Sequence, residues 1–223
     1  MLWDDYATAW SGLHGGFDPR RASLLVRGWV RIAYGIGSWL ARRGTSPMAV
    51  TTAGLLVCLT VPFAVLLGRW GALLAAVLVL VAALADGLDG AVAVITGRTT
   101  RLGYVYDSVA DRLGELAWLT AFWLAGAPGW LVVAAGAVSW LQEYARARAA
   151  AAGMSEIGVV TVAERPTRVL VAIFGLLPAV LLPASATVAA AVWLALSLVG
   201  GVQLAIAVQR ALGRPGPGSP PTT

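Results

Sequence analysis

Four aspartates, Asp86, Asp89, Asp107 and Asp111, stand in stretches otherwise apolar enough to cross a bilayer. An ionised side chain at membrane depth is costly, and four carboxylates together repel and desolvate one another unless a strong cation holds them. Mg2+ and Mn2+ meet that requirement, because hard divalent cations prefer carboxylate oxygens. Asp86 and Asp89 are three apart and share one helix face; Asp107 and Asp111 are four apart and share another. Arg112 is the only basic residue in these two stretches, so arginine pairing cannot compensate all four acids. Glu115, one turn after Asp111, reads as a partner of Arg112 or a support for the cluster rather than as a ligand.

The elements that must carry these side chains are helices. Every backbone amide in lipid needs a partner within its own segment, and the apolar runs have helical length without strand alternation. The sequence predicts an all-α integral membrane protein with six transmembrane helices. They cover Pro47 to Gly68, Trp70 to Thr96, Leu102 to Ala125, Gly129 to Ala151, Pro166 to Leu182 and Ala186 to Gln209. Pro47 suits a first helical turn behind a Thr45 or Ser46 cap, and Pro62 and Pro178 should kink their spans. The connections Gly126 to Pro128 and Pro183 to Ser185 are short enough to force antiparallel hairpins. At ~1.5 Å per residue, Asp86 lies about 12 to 15 Å from the Gly97 to Arg101 turn and Asp107 about 8 to 10 Å, so the two pairs can meet. Gly90 and Gly103 lack side chains where two helices, or a helix and a ligand, approach closely.

Upstream, Arg27, Arg31, Ser38 and Arg42 recur on one face of a helix over Ala22 to Arg43, opposite Leu25, Trp29, Ile32, Ile36 and Trp39. That pattern predicts an interfacial amphipathic helix. Residues 1–44 form an N-terminal cytoplasmic segment, 45–210 the six-helix catalytic domain, and 211–223 a disordered cytoplasmic tail rich in Gly, Pro, Ser and Thr. His14, beside Gly15 and Gly16, reads as a loop residue, and the Trp3-Asp4-Asp5 start lacks the basic region of a cleaved signal peptide.

The chain is 59% hydrophobic with a mean hydropathy of +0.79, which excludes an ordinary soluble domain. Its net charge of +5 does not imply nucleic acid. All sixteen basic residues are arginines, and they follow the loops: Arg42 and Arg43, Arg98 and Arg101, Arg146 and Arg148, Arg165 and Arg168, Arg210 and Arg214, with Arg69 alone on the opposite side. The positive-inside rule therefore places both termini and the aspartate-bearing turn in the cytoplasm. Cys58, the only cysteine, excludes an intrachain disulfide and reads as a small apolar filler.

The run Asp86-Gly-Leu-Asp89-Gly90-Ala-Val-Ala93-Val94, eight residues, then Gly103, Asp107 and Asp111, resembles the signature D-x-x-D-G-x-x-A-R-x8-G-x-x-x-D-x-x-x-D of the CDP-alcohol phosphotransferases. Seven of eight fixed positions match, and the likeness extends from Pro47 to Arg210. Val94 is the departure: the family has arginine there, and Arg98 or Arg101 is the substitute cation on offer. The resemblance implies transfer of a phosphatidyl group from a CDP-linked lipid donor, usually CDP-diacylglycerol, to an acceptor alcohol with release of CMP. It implies two Mg2+ or Mn2+ ions, with Asp86, Asp89, Asp107 and Asp111 as metal ligands and Asp111 also the general base. It further implies Gly90, Ala93 and Gly103 lining the nucleotide, and a homodimer in the plasma membrane with its active site facing the cytoplasm.

The segments Glu143-Tyr-Ala-Arg146-Ala-Arg148, Ala163-Glu-Arg165-Pro-Thr-Arg168 and Val208-Gln-Arg210 are similar to the phosphatidylinositol phosphate synthase branch. On that match Arg146, Arg165 and Arg210 would hold a phosphorylated acceptor, inositol phosphate or glycerol 3-phosphate; guanidinium groups suit phosphate. Arg146 and Arg148 are two apart and cannot both point into one cavity. Two rival readings fit the pattern less well. An intramembrane prenyltransferase would also bind Mg-diphosphate through aspartates, but on well-separated helices. A divalent-cation transporter would need polar residues beyond Glu115, where the sequence turns apolar.

Overall fold

The computed structural model describes residues 1–13, 16–68, 70–154, 161–182 and 184–212. His14, Gly15, Arg69, Pro183 and the proposed tail after Leu212 lie outside them. The described residues fold mainly into helices, with no strand among them. The helices are α1 Trp3–Leu13, α2 Leu24–Arg42, α3 Pro47–Val65, α4 Gly71–Thr96, α5 Arg101–Leu124, α6 Gly129–Ala151, α7 Arg165–Leu176 and α8 Ser185–Leu212. Of these, α3, α4 and α8 are long and apolar enough to cross a membrane. Helices α5 and α6 have the length, but they carry the charged residues from Asp107 to Glu115 and from Glu143 to Arg148.

Two elements differ from the sequence reading. Residues 3–13 form a helix that the composition did not announce. The expected span from Pro166 to Leu182 is instead the twelve-residue α7 followed by a 3-10 turn over Leu177–Val180. Pro178 lacks the N–H that would continue the α-helix, so the chain tightens there rather than merely kinking. Pro62, by contrast, lies inside an unbroken α3.

The chain divides into two compact units, Met1–Ala64 with Leu74–Trp118, and Val65–Leu73 with Leu119–Thr223. In the first, Ser46 caps α3 by accepting from the Ala49 amide at 3.2 Å, with Pro47 in the first turn. Small residues then let helices close up. A Cβ on Gly54 would stand 3.1 Å from that of Ala85, and one on Gly114 would stand 2.9 Å from Cys58 Sγ. Cys58 is buried, as its reading as a filler requires. Helix α2 lies across the aspartate-bearing half of α4, with the Trp29 ring near Gly87 and Gly37 against Ala91 and Ile95. The apolar side chains of Trp29, Ile32, Ile36 and Trp39 remain exposed on α2. Helix α1 packs through Tyr6 and Ala7, and Tyr6 joins Val30, Ala33 and Ala91 in a core bordered by Trp3, Trp10, Tyr34 and Val94. Burial pushes the Tyr6 hydroxyl pKa up to about 12.

In the second unit, Ser139 and Ser197 hydroxyls meet at 2.9 Å, and Trp193 Nε1 donates to Ser139 Oγ at 2.8 Å. A Cβ on Gly200 would stand 3.0 Å from Gln142 Nε2. Both pairings advance together along α6 and α8, so the two helices run parallel. Helix α7 seats Gly175 against Ala189 and the Phe122 ring, a contact with no room for a side chain.

Candidate metal centre

The turn between α4 and α5 brings the sequence-distant acids together. Gly97, at φ +64°, ends α4 in the left-handed conformation that glycine takes without strain. The Arg98 amide donates to the Ala93 carbonyl at 3.1 Å, closing the helix end. Thr100 then caps α5, its Oγ accepting from the Gly103 amide at 2.9 Å. From this tight turn the helices return side by side. Asp86, Asp89 and Asp107 each present an oxygen such that the three atoms lie within 4.8 Å of one another. Asp89 is buried, while Asp86 and Asp107 are half-buried.

Three converging carboxylates on apolar helices form a donor set for a hard divalent cation, and the residues fit such an ion. The fourth aspartate lies outside this set of three. Asp111 sits one turn beyond Asp107, with Arg112 NH2 3.9 Å from its Oδ2. Glu115 is fully buried and pairs with Arg112 at 3.0 Å, so it takes the role of partner expected of it rather than joining the cluster.

One contributor was not visible in the sequence. Thr51 Oγ1 stands 2.5 Å from Asp89 Oδ2, and 3.2 Å from its own helix carbonyl at Pro47. A hydroxyl has one proton, and the shorter contact to a carboxylate is the stronger, so Thr51 donates to Asp89 and fixes its orientation. Beside it, the Thr52 and Tyr106 hydroxyls meet at 2.7 Å, tying α3 to the residue preceding Asp107. A threonine in an apolar helix ordinarily bonds to its own backbone, which is why the sequence carried no signal for the tertiary role.

The three positions expected to line a nucleotide differ in their surroundings. A Cβ on Gly90 would meet nothing within 4 Å, so packing does not demand glycine there. A Cβ on Gly103 would stand 3.0 Å from Thr100 Oγ1, so this glycine is needed by the α5 cap as well. Ala93 is half-buried. Val94, the departure from the signature, packs against the core formed by Tyr6, Val30, Ala33 and Ala91. Arg98 and Arg101 are exposed at the turn.

The candidate acceptor arginines belong to the second unit. Arg146 NH2 donates to Glu164 Oε1 at 2.7 Å, and its Nε is 3.8 Å from Glu143. Glu164 also accepts from the Thr161 amide and hydroxyl, at 2.8 and 2.9 Å. Arg165 opens α7 directly after Glu164, and Arg210 is exposed in the last turn of α8. Arg168, read from the sequence as one of the loop-following arginines, is 3% exposed and bonds Glu143 at 2.9 Å. The two glutamates that organise these arginines were not singled out by sequence, because their partners lie 18 and 25 positions away.

Comparison with known proteins gives this geometry its setting. The CDP-alcohol phosphatidyltransferase family profile matches residues 44–206. The archaetidylinositol phosphate synthase of Pyrococcus horikoshii is 33% identical over 137 residues, covering 61% of this chain and 71% of that protein. The phosphatidylinositol phosphate synthase of Mycolicibacterium smegmatis is 34% identical over 159 residues, covering 66% and 68%. The crystal structure of Mycobacterium tuberculosis phosphatidylinositol phosphate synthase with CDP-DAG bound superposes with a TM-score of 0.66 at 28% identity, covering 82% of this chain and 96% of that one. The same enzyme in complex with manganese and citrate gives a TM-score of 0.68 at 26% identity, covering 81% and 90%. With its profile match spanning most of the sequence and its aspartates converging as the signature requires, the chain belongs to the CDP-alcohol phosphatidyltransferase family and is a transferase of substituted phosphate groups.

Proposed function

We propose that this protein transfers the phosphatidyl group of CDP-diacylglycerol to inositol phosphate, releasing CMP, in phospholipid biosynthesis. The observation that carries the reading is the convergence of Asp86, Asp89 and Asp107 within 4.8 Å in a chain of this family. Inositol phosphate is favoured over glycerol 3-phosphate because these two relatives are named archaetidylinositol phosphate synthase and phosphatidylinositol phosphate synthase.

Two Mg2+ or Mn2+ ions held by Asp86, Asp89, Asp107 and Asp111 would neutralise the donor diphosphate and the charge developing on CMP. Asp111, set apart from the cluster of three, takes the proton of the acceptor hydroxyl as its oxygen bonds to the phosphatidyl phosphorus. The bond from that phosphorus to the CMP oxygen breaks, and CMP leaves with the electron pair. Gly90, Ala93 and Gly103 line the nucleotide, and the open space beside Gly90 supports this. Arg146, Arg165 and Arg210 hold the acceptor phosphate. Because Arg146 already binds Glu164, it must exchange a carboxylate for the phosphate.

The protein acts as a homodimer of six-span chains in the plasma membrane, its active site facing the cytoplasm and α2 lying along the interface. The exposed Trp29, Ile32, Ile36 and Trp39 support that placement of α2. The test is to incubate purified protein with Mn2+, CDP-diacylglycerol and separate acceptors, and to measure CMP. Release that depends on inositol phosphate is expected. Release with glycerol 3-phosphate alone would overturn the acceptor, and no release with any acceptor would overturn the reaction.

A further inference from the structure

Helices α6 and α8 enclose a groove of about 800 Å3 lined by residues from Val138 to Ala152 and from Leu198 to Leu212. The parallel register set by Ser139 with Ser197 and Gln142 beside Gly200 puts Arg148 at the level of the last turns of α8, close to Gln209. The groove thus has one polar end, Arg148 and Gln209, and a long apolar wall that includes Leu141, Leu198 and Val202. Its length along the helices is about 20 Å at 1.5 Å per residue, most of a ~30 Å hydrocarbon core.

Neighbouring arginines are committed elsewhere. Arg146 turns to Glu164, and Arg168 to Glu143. Arg148, two positions after Arg146 and so on another face, is exposed and has no carboxylate partner among the described residues. Since α8 is long and apolar enough to span, its final turn leaves the hydrocarbon, and Arg148 at that level meets the headgroup region. Midway along the wall, Gly201 has no atom within 4 Å of where its Cβ would be, which deepens the groove.

We propose that this groove binds an anionic phospholipid of the surrounding bilayer, its phosphate on the Arg148 guanidinium and an acyl chain along Leu141, Leu198 and Val202. The complementarity is chemical at both ends: a cation with hydrogen-bond donors meets a phosphate, and an apolar trough meets a chain. None of the acids or arginines assigned to the reaction lines this groove.

The test uses the full chain reconstituted into vesicles of equal parts phosphatidylglycerol and phosphatidylcholine, extracted in mild detergent, with retained lipid counted by native mass spectrometry. Both lipids offer a phosphate, but the choline ammonium cancels the charge of phosphatidylcholine and is repelled by Arg148, so wild-type protein is expected to keep phosphatidylglycerol over phosphatidylcholine by about tenfold. Arg148→Gln should bring that ratio close to one and Arg148→Lys should restore part of it. Gly201→Leu, which fills the trough, should reduce retention of both lipids while the unfolding temperature stays at the wild-type value. Equal retention of both lipids by wild type, or an unchanged ratio in Arg148→Gln, would overturn the proposal. So would disulfide cross-linking of Leu141→Cys to a second copy, which would make the groove a contact between chains.

Discussion

Around the α4–α5 turn, Asp86, Asp89 and Asp107 stand within 4.8 Å of one another, with Thr51 bonded to one of them. Between α6 and α7, each glutamate meets an arginine, Glu143 with Arg168 at 2.9 Å and Glu164 with Arg146 at 2.7 Å. Both regions concentrate charge on helices that are otherwise apolar. The first gathers like charges and so offers a place for a cation, while the second balances its own. Charge left in excess marks a site for a ligand; charge already paired marks structure first. On that criterion the aspartates are the proposed functional centre, and Arg146 and Arg168 first hold the second unit together.

The largest effects should come from breaking the first region. Asp107→Asn removes one converging carboxylate and is expected to abolish CMP release and to weaken Mn2+ binding measured by calorimetry. Asp111→Asn should also abolish transfer, by a factor on the order of 10^2 to 10^4, yet keep binding of the CDP-linked donor, since that carboxylate lies outside the cluster of three. Loss of donor binding in both variants would leave Asp111 a metal ligand like Asp107, with no separate role as the base.

Thr51 sharpens the same region at lower amplitude. Thr51→Val keeps the side-chain volume and deletes the hydroxyl that orients Asp89, so Mn2+ affinity should fall about 10- to 100-fold, the usual range for a partner of a metal ligand. Thr51→Ser should recover most of it, and a valine variant with wild-type affinity would remove the positioning role.

The second region is tested by contrasting two arginines three residues apart. Arg168→Ala leaves Glu143 without its buried partner and should lower stability by about 3 kcal/mol, seen as a reduced unfolding temperature in detergent. Arg165→Ala should lower the unfolding temperature less than Arg168→Ala does and raise the acceptor KM about tenfold, the worth of a charge-assisted hydrogen bond to phosphate. Equal losses of stability would make both residues structural.

How much could be read from sequence follows from the same contrast. Carboxylates inside apolar helices cost too much to be incidental, so their spacing points to the α4–α5 hairpin and to a divalent cation, while the phosphatidyl transfer is legible only through the resemblance to a family. The pairing of Glu143 and Glu164 with arginines depends on how α6 and α7 pack, and nothing local in those segments encodes it. Helix α1 was hidden for a related reason. Eleven residues are too few to hold a helix by propensity alone, and its order comes from Tyr6 and Ala7 packing into a core supplied by distant segments. The 3-10 turn at Pro178 shows the limit of a hydropathy count, which sees an apolar run and not the missing N–H within it.

Val94 is where these two kinds of legibility meet, and it carries the smallest expected effect. Sequence exposed the departure from the signature but not its consequence. The structure packs the side chain against the core formed by Tyr6, Val30, Ala33 and Ala91, to which α1 contributes Tyr6. An arginine there must extend past that core to reach water or loosen it. Val94→Arg should therefore loosen α1 by about 1 kcal/mol, read as roughly fivefold faster amide exchange across Trp3–Leu13, with exchange in α6 and α8 unchanged. If the residue instead serves only the nucleotide side of α4, the exchange of α1 would stay at its wild-type rate and CMP affinity alone would change. The two readouts thus distinguish a valine that seats the N-terminal helix from a valine that merely lacks a charge.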